Sequence, residues 1–105
     1  MAHVTINIAD LPFGRSRIVE ADGKRFLICR SASGIHATAA LCPHQIKCLE
    51  GARIIGDALT CPHHGARFRL DTGASLAFQL TARALEIYPV SLDGSLATID
   101  LPDRD

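Results

Sequence analysis

Two short runs of this chain, Cys42-Pro43-His44 and Cys61-Pro62-His63-His64, each place a soft thiolate and a borderline imidazole within reach of one tight loop. One residue separates Cys42 from His44, two separate Cys61 from His64, and a 16-residue insert, 45–60, lies between the runs. Ligands of this kind select zinc, copper or iron-sulfur chemistry over magnesium or calcium, which prefer oxygen. Two constructions use all four side chains. One is a tetrahedral zinc held by Cys42, His44, Cys61 and His64; the other is a [2Fe-2S] cluster in which the cysteines hold one iron and the histidines the other. Zinc fingers usually set a Cys pair apart from a His pair, whereas each arm here carries one of each. That alternation suits a dinuclear cluster, because each loop can send its Cys to the inner iron and its His to the outer one.

The runs CPHQ and CPHHGARFRLDTG resemble the Rieske iron-sulfur signature, C-x-H followed, after an insert of this size, by C-x-x-H-G. The match extends to Pro43, Gln45, Gly65, Phe68, Thr72 and Gly73, and the chain has the length of a free-standing Rieske ferredoxin. The resemblance implies one [2Fe-2S] cluster per chain, bound by Cys42, His44, Cys61 and His64. It implies an all-β Rieske domain of small antiparallel sheets or a partly open barrel, with two hairpin loops gripping the cluster. It also implies a soluble electron carrier, which accepts one electron from a flavin-containing, NAD(P)H-dependent reductase and passes it to a terminal oxygenase of the ring-hydroxylating kind. Both partners would dock transiently near His44 and His64, at a tip flanked by Gln45, Ile46, Lys47 and His63.

Other functions have specific discriminators. The small Rieske subunit of an oxidoreductase such as an assimilatory nitrite reductase would purify bound to a large catalytic subunit. A truncated Rieske oxygenase has no room for its mononuclear-iron domain in 105 residues. A zinc-stabilised binding module would be colourless, with one metal ion in place of two irons and acid-labile sulfide. No nucleophile with its base, carboxylate pair or phosphate-cradling loop is evident, so the chain is expected to carry electrons and not to be an enzyme.

Length predicts a single domain, 1–105, with a cluster-binding subregion at about 41–73. No apolar run approaches a membrane span, and the opening MAHVTINIAD has neither a basic start nor a signal-length apolar stretch, so a cytoplasmic monomer is expected. Formal charge balances at zero, which argues against bulk attraction to nucleic acid or an anionic membrane. Reduced thiols in that compartment make metal ligation a better use of cysteine than disulfides.

The elements that must carry the two loops read as short strands. Val4, Ile6 and Ile8 alternate with polar or small residues at period two. Segments 15–21 and 24–30 flank Asp22-Gly23, a strong hairpin signal. In the second of them Phe26 and Ile28 share one face, Leu27 and Cys29 the other, and both faces should be covered. Further strands are predicted at 35–39, 52–55, 58–60, 66–70, from Leu85 through Ile87 and Tyr88, and at 96–99, about nine or ten in all by turn spacing. Turns fall at 31–34, 71–73 and 93–94; 74–83 is ambiguous between helix and loop, and 101–105 is a polar tail expected to fray.

Cys29 and Cys48 are left over and are expected to be small buried hydrophobes. His63 is expected to be an exposed loop residue, and His3 and His36 fit no ligand spacing. Pro43 and Pro62 stiffen the loops, and Gly65 serves a close approach to the cluster, a tight turn, or both. High-potential members of the resembled family carry a Ser directly after the His-Gly pair and a Tyr two residues later, and a disulfide bracing the loops. This chain has Ala66 and Phe68 at the hydroxyl positions and His63 in the slot of one cysteine, while Cys48 lies one residue off the other. Without hydroxyls donating to the sulfurs the potential should sit low. A redox titration is expected to give a midpoint of roughly −150 mV; a midpoint above zero contradicts this reading.

Overall fold

Phe26, Leu27, Ile28 and Cys29 follow one another along one strand, and none of the four keeps any exposed surface. Successive side chains of an extended chain point to opposite faces, so such a strand must be covered on both sides. The computed structural model describes residues 2–21, 23–42, 47–62, 65–76 and 84–101, with the backbone alone for Ala2, Lys24, Cys42, Lys47 and Cys48. Its strands are β1 (Ala2–Asn7), β2 (Ser16–Ala21), β3 (Lys24–Ser31), β4 (Gly34–Ala39), β5 (Leu41–Cys42), β6 (Lys47–Cys48), β7 (Arg53–Ile55), β8 (Ala58–Thr60), β9 (Arg67–Arg69), β10 (Ile87–Tyr88), β11 (Val90–Asp93) and β12 (Leu96–Leu101).

These strands form four antiparallel sheets, ordered β1-β12-β11, β10-β4-β3-β2, β5-β6 and β7-β8-β9. They do not close into a barrel, and no helix occurs among the described residues; none there is long and apolar enough to cross a membrane. Leu27 and Cys29 of β3 enter one apolar cluster with Leu49, Leu59, Cys61 and Phe68. Phe26 and Ile28 enter a second with Val4, Ile8, Leu11 and Ile99. The expected burial of both faces is thus what the structure shows, and each such large side chain contributes about 1.5–3 kcal/mol by leaving water.

The described residues form twelve strands where nine or ten were expected. The additions include the two-residue strands β5 and β6, too short for any periodic signal, and Pro89, which lacks the N–H needed to continue a ladder, separates β10 from β11. The tail begins later than predicted: Leu101 is 2% exposed and pairs with Ala2, while 102–105 lie outside the described residues. Of the ambiguous 74–83 segment, 77–83 lie outside them too. Before that, Ser75 bridges Phe68, and the Leu76 N–H donates to the Arg67 carbonyl at 2.7 Å, so the chain runs on as an irregular edge beside β9.

Gly73 fixes where that edge returns. Its N–H donates to the Arg69 carbonyl at 2.8 Å, and its own carbonyl accepts from Leu85 N–H at 2.7 Å. At φ +78° a Cβ on Gly73 would lie 1.9 Å from the Leu85 carbonyl oxygen, so an alanine needs both a strained backbone and a displaced chain. Gly73→Ala is expected to cost about 3 kcal/mol or more. Gly94→Ala, at φ +60° with open space around it, should cost only about 1–2 kcal/mol. Urea denaturation midpoints compare the two.

Candidate metal centre

The first ligand loop, 43–46, is framed by β5 and β6, which pair as Leu41↔Cys48 and Cys42↔Lys47. A bond from Leu49 N–H to the Ala40 carbonyl, 2.8 Å, adds one rung below them. Cys42 therefore ends a strand at the point where the loop begins. The second loop is framed by β8 and β9, whose last rung is Thr60↔Arg67. Cys61 follows directly, its N–H donating to the Ala66 carbonyl at 2.7 Å and its carbonyl accepting from Gly65 N–H at 3.1 Å. Gly65 has φ +74°, the left-handed backbone that a tight turn favours glycine for.

Both hairpins rise from the same packed block. Leu49, just past β6, shares an apolar cluster with Cys61, Ala66 and Phe68. Ser16 Oγ donates to the Ala52 carbonyl at 2.7 Å, and Ile54 N–H donates to the Gly14 carbonyl at 3.3 Å. These bonds tie the chain between the hairpins to the strand block beneath. Loops anchored this way hold their ends in fixed relation, which a polynuclear centre bound from two sides requires.

The residues described fit such a centre. Cys61 is 2% exposed and in no disulfide, and its sulfur is a soft donor of the kind that iron-sulfur and zinc centres take. Cys42 occupies the corresponding end of the other hairpin. His44, His63 and His64 lie outside the described residues, as do Pro43, Gln45 and Ile46, so the structure relates the two cysteines by topology and leaves the histidines to the sequence. Among the described residues no other group of His, Cys, Asp and Glu gathers as a metal site.

The remaining cysteines and histidines behave differently. Cys29 is fully buried, its thiol donating to the His36 carbonyl at 3.6 Å, and burial pushes its pKa up to about 12. It is the inert hydrophobe expected. Cys48 is described only through its backbone pairing with Leu41. His3 sits against the Asp100 carboxylate. His36 Nε2 lies 3.2 Å from Ser31 Oγ and 3.1 Å from Ser33 Oγ; burial lowers its pKa, opposed by the charges of Asp57 and Asp71. Ser33 Oγ in turn donates to Asp57 Oδ1 at 2.8 Å, which pins the β3–β4 turn to the β7–β8 turn.

One feature beside the centre escaped the sequence reading. The register Arg53↔Thr60↔Arg67 sets two exposed arginines on one rung, next to Cys61. The exposed-buried-exposed pattern of β7 and of β9 holds that signal, but two three-residue strands apart in sequence do not announce that they share a sheet.

A family model described as the Rieske [2Fe-2S] domain matches residues 2–89. The ferredoxin component of a naphthalene 1,2-dioxygenase system from Pseudomonas aeruginosa is 29% identical over 96 residues, 91% of each chain. The ferredoxin component of naphthalene 1,2-dioxygenase/salicylate 5-hydroxylase systems from Ralstonia sp is 31% identical over 84 residues, 80% of each chain. Among solved structures, the ferredoxin of carbazole 1,9a-dioxygenase from Nocardioides aromaticivorans IC177 superposes with a TM-score of 0.81 at 24% identity, covering 94% of this chain and 97% of that one. A Mycobacterium tuberculosis protein assigned as the small subunit of an NADH-dependent nitrite reductase reaches 0.79 at 19% identity, covering 93% of each. These two superpositions show the shared fold alone.

The different standing of the cysteines can be measured. After anaerobic reconstitution with iron and sulfide, Cys42→Ala and Cys61→Ala are expected to retain neither metal nor acid-labile sulfide. Cys29→Ala should retain both at the level of the unaltered chain.

Proposed function

The chain belongs to the Rieske [2Fe-2S] domain family, and we propose from that premise that it is a one-electron carrier between two partner proteins and transforms no substrate of its own. Cys42 and Cys61 hold one iron and His44 and His64 the other, with one cluster per chain. Bound there, a [2Fe-2S] cluster supplies a one-electron couple whose potential is set by its ligands, by hydrogen bonds to its sulfurs and by exposure to water. The observation that carries the reading is the placement of Cys42 and Cys61 at the starts of two hairpin loops on one packed block, in a chain matched by the family over 2–89.

The protein residues set the conditions for that couple. Ala66 and Phe68 are fully buried beside Cys61 in the apolar cluster and offer no hydroxyl to a sulfur, which supports a low potential. By likeness to the family, electrons would enter and leave the cluster on its histidine side, through His44 and His64. The whole chain, 1–105, forms one unit with its cluster-binding subregion at about 41–73. The pairing of β12 with β1 supports this, since it returns the chain beyond residue 89 to the first strand.

Similarity to the two dioxygenase-system ferredoxin components supports a terminal oxygenase as acceptor; the donor in this reading is a flavin-containing, NAD(P)H-dependent reductase. The nitrite reductase alternative has support only at the level of fold. Unbridged thiols at Cys29 and Cys61 accord with a cytoplasmic setting.

Reconstitution tests the reading. With a flavoprotein reductase from the same genome and NAD(P)H, the chain's visible absorption should bleach by one electron equivalent. Adding the terminal oxygenase and an aromatic substrate should then yield hydroxylated product only when the chain is present. Stable co-purification with a large nitrite-reducing subunit, and no reduction by any such reductase, would show the reading to be wrong.

A further inference from the structure

The outward face of the β7-β8-β9 sheet is cationic on a chain whose formal charge is zero. Alternation along β7 and β9 turns Ile54 and Phe68 inward to the core, leaving Arg53, Ile55, Arg67 and Arg69 exposed. The irregular edge continues this face, since the Phe68↔Ser75 bridge turns Leu76 outward beside Arg67. Ile55 is 66% exposed and Leu76 45%. Register sets Arg53, Thr60, Arg67 and Leu76 in one row across the face and Ile55, Ala58 and Arg69 in the next, so the two exposed aliphatic side chains lie at opposite edges with arginines between them. Arg69 is held by Asp71, with contacts of 3.1 and 2.8 Å, while neither Arg53 nor Arg67 has an ion-pair partner among the described residues.

The face also adjoins the metal centre. Arg53 and Arg67 flank Thr60 across the sheet, which puts their backbones about 10 Å apart at the usual strand spacing, and the next residue after Thr60 is Cys61. A depression of about 340 Å³ opens there, lined by Arg53, Ile55, Thr60, Cys61, Pro62 and Gly65 among others. Arginine's planar fork pairs with carboxylates in two-point contacts and sheds water more readily than lysine. Such groups set between small apolar contacts suit an encounter that must form fast and release.

We propose that this sheet face is a docking surface for a redox partner protein whose contact face presents carboxylates opposite Arg53 and Arg67 and apolar side chains opposite Ile55 and Leu76. The inference rests on the electron-carrier reading and adds to it the chemistry of the partner. Arg53 and Arg67 draw the acidic partner in from a distance, and Ile55 and Leu76 supply the short-range contact once water is expelled.

Two measurements test this, with Arg67→Glu set against Arg15→Glu, an equal charge change at an exposed site elsewhere. The first uses hexacyanochromate(III), a redox-inert paramagnetic anion, as a relaxation probe on the oxidised, isotope-labelled chain. Broadening is expected at the amides of Ile55, Arg69 and Leu76 and not at Leu92 on another sheet; Arg67→Glu removes it and Arg15→Glu leaves it. The second is equilibrium binding, at low salt, of the reductase and the oxygenase that turn over with the chain. At least one should bind Arg67→Glu about tenfold more weakly and lose most of its salt dependence, while Arg15→Glu stays within about twofold.

Equal broadening on all faces, or partners that bind both variants alike, overturns the docking surface even where turnover is intact. Failure of every reductase to reduce the chain overturns the carrier reading instead, and the anion map still decides whether the face attracts negative charge.

Discussion

One strand, β3, is buried on both faces, and the architecture follows from covering it twice. Phe26 and Ile28 require one apolar layer, Leu27 and Cys29 another, and a chain of this length supplies both only by folding its two ends onto one side and its middle onto the other. The ends are β1, β11 and β12. The middle is the stretch from β5 to β9, in which the metal-binding hairpins lie. The hairpins therefore need no barrel of their own: they are rigid because Leu49, Leu59, Cys61 and Phe68 are part of the layer that β3 demands. Truncating such a side chain would leave a cavity under the site as well as lose buried area, a combined cost of about 2–5 kcal/mol.

The same layer explains why two free cysteines have different chemistry. Cys29 sits mid-strand with every neighbour supplied by the sheet, and burial holds its thiol protonated with a pKa of about 12. Cys61 is almost as buried but stands one residue past the end of β8, where the chain turns. The last ladder position is Thr60, and the Cys61 backbone groups are taken up by the loop itself through Ala66 and Gly65. Position along the strand separates a packing residue from the one proposed as a ligand, although the side chains are identical.

Much of this was legible from residues. Period-two alternation gave β1, the Asp22-Gly23 dipeptide gave the hairpin that ends at Ala21↔Lys24, and the four-residue apolar run gave the doubly covered strand. Ligand type and spacing gave the candidate centre, and with it the resemblance to a family that later matched. What escaped depends on backbone hydrogen bonds between residues distant in sequence. The pair Leu41↔Cys48 makes strands of segments with no periodicity of their own, and Ala2↔Leu101 extends β12 into the residues expected to fray. The demand for glycine at 73 comes from the Leu85 carbonyl, twelve positions on. The second face of the β7-β8-β9 sheet likewise becomes visible only when Arg53 and Arg67 are seen to share Thr60 as a neighbour.

Formal neutrality hides how the charge is distributed. Several charges are paired locally: Arg17 with Asp10 and Arg25 with Glu20 away from the β7-β8-β9 face, and Arg69 with Asp71 on it. Exposed pairs of this sort contribute little to stability, about 0–1 kcal/mol each, but they flatten the field of the surface around them. The rung next to Cys61 is treated differently, with its two arginines left without such partners among the described residues. A field of one sign confined to one place orients an approaching protein more sharply than the same charge spread over the molecule. For a carrier that must meet one protein to be reduced and another to be oxidised, orientation at encounter matters more than tight binding, since a complex that held on would stop the relay.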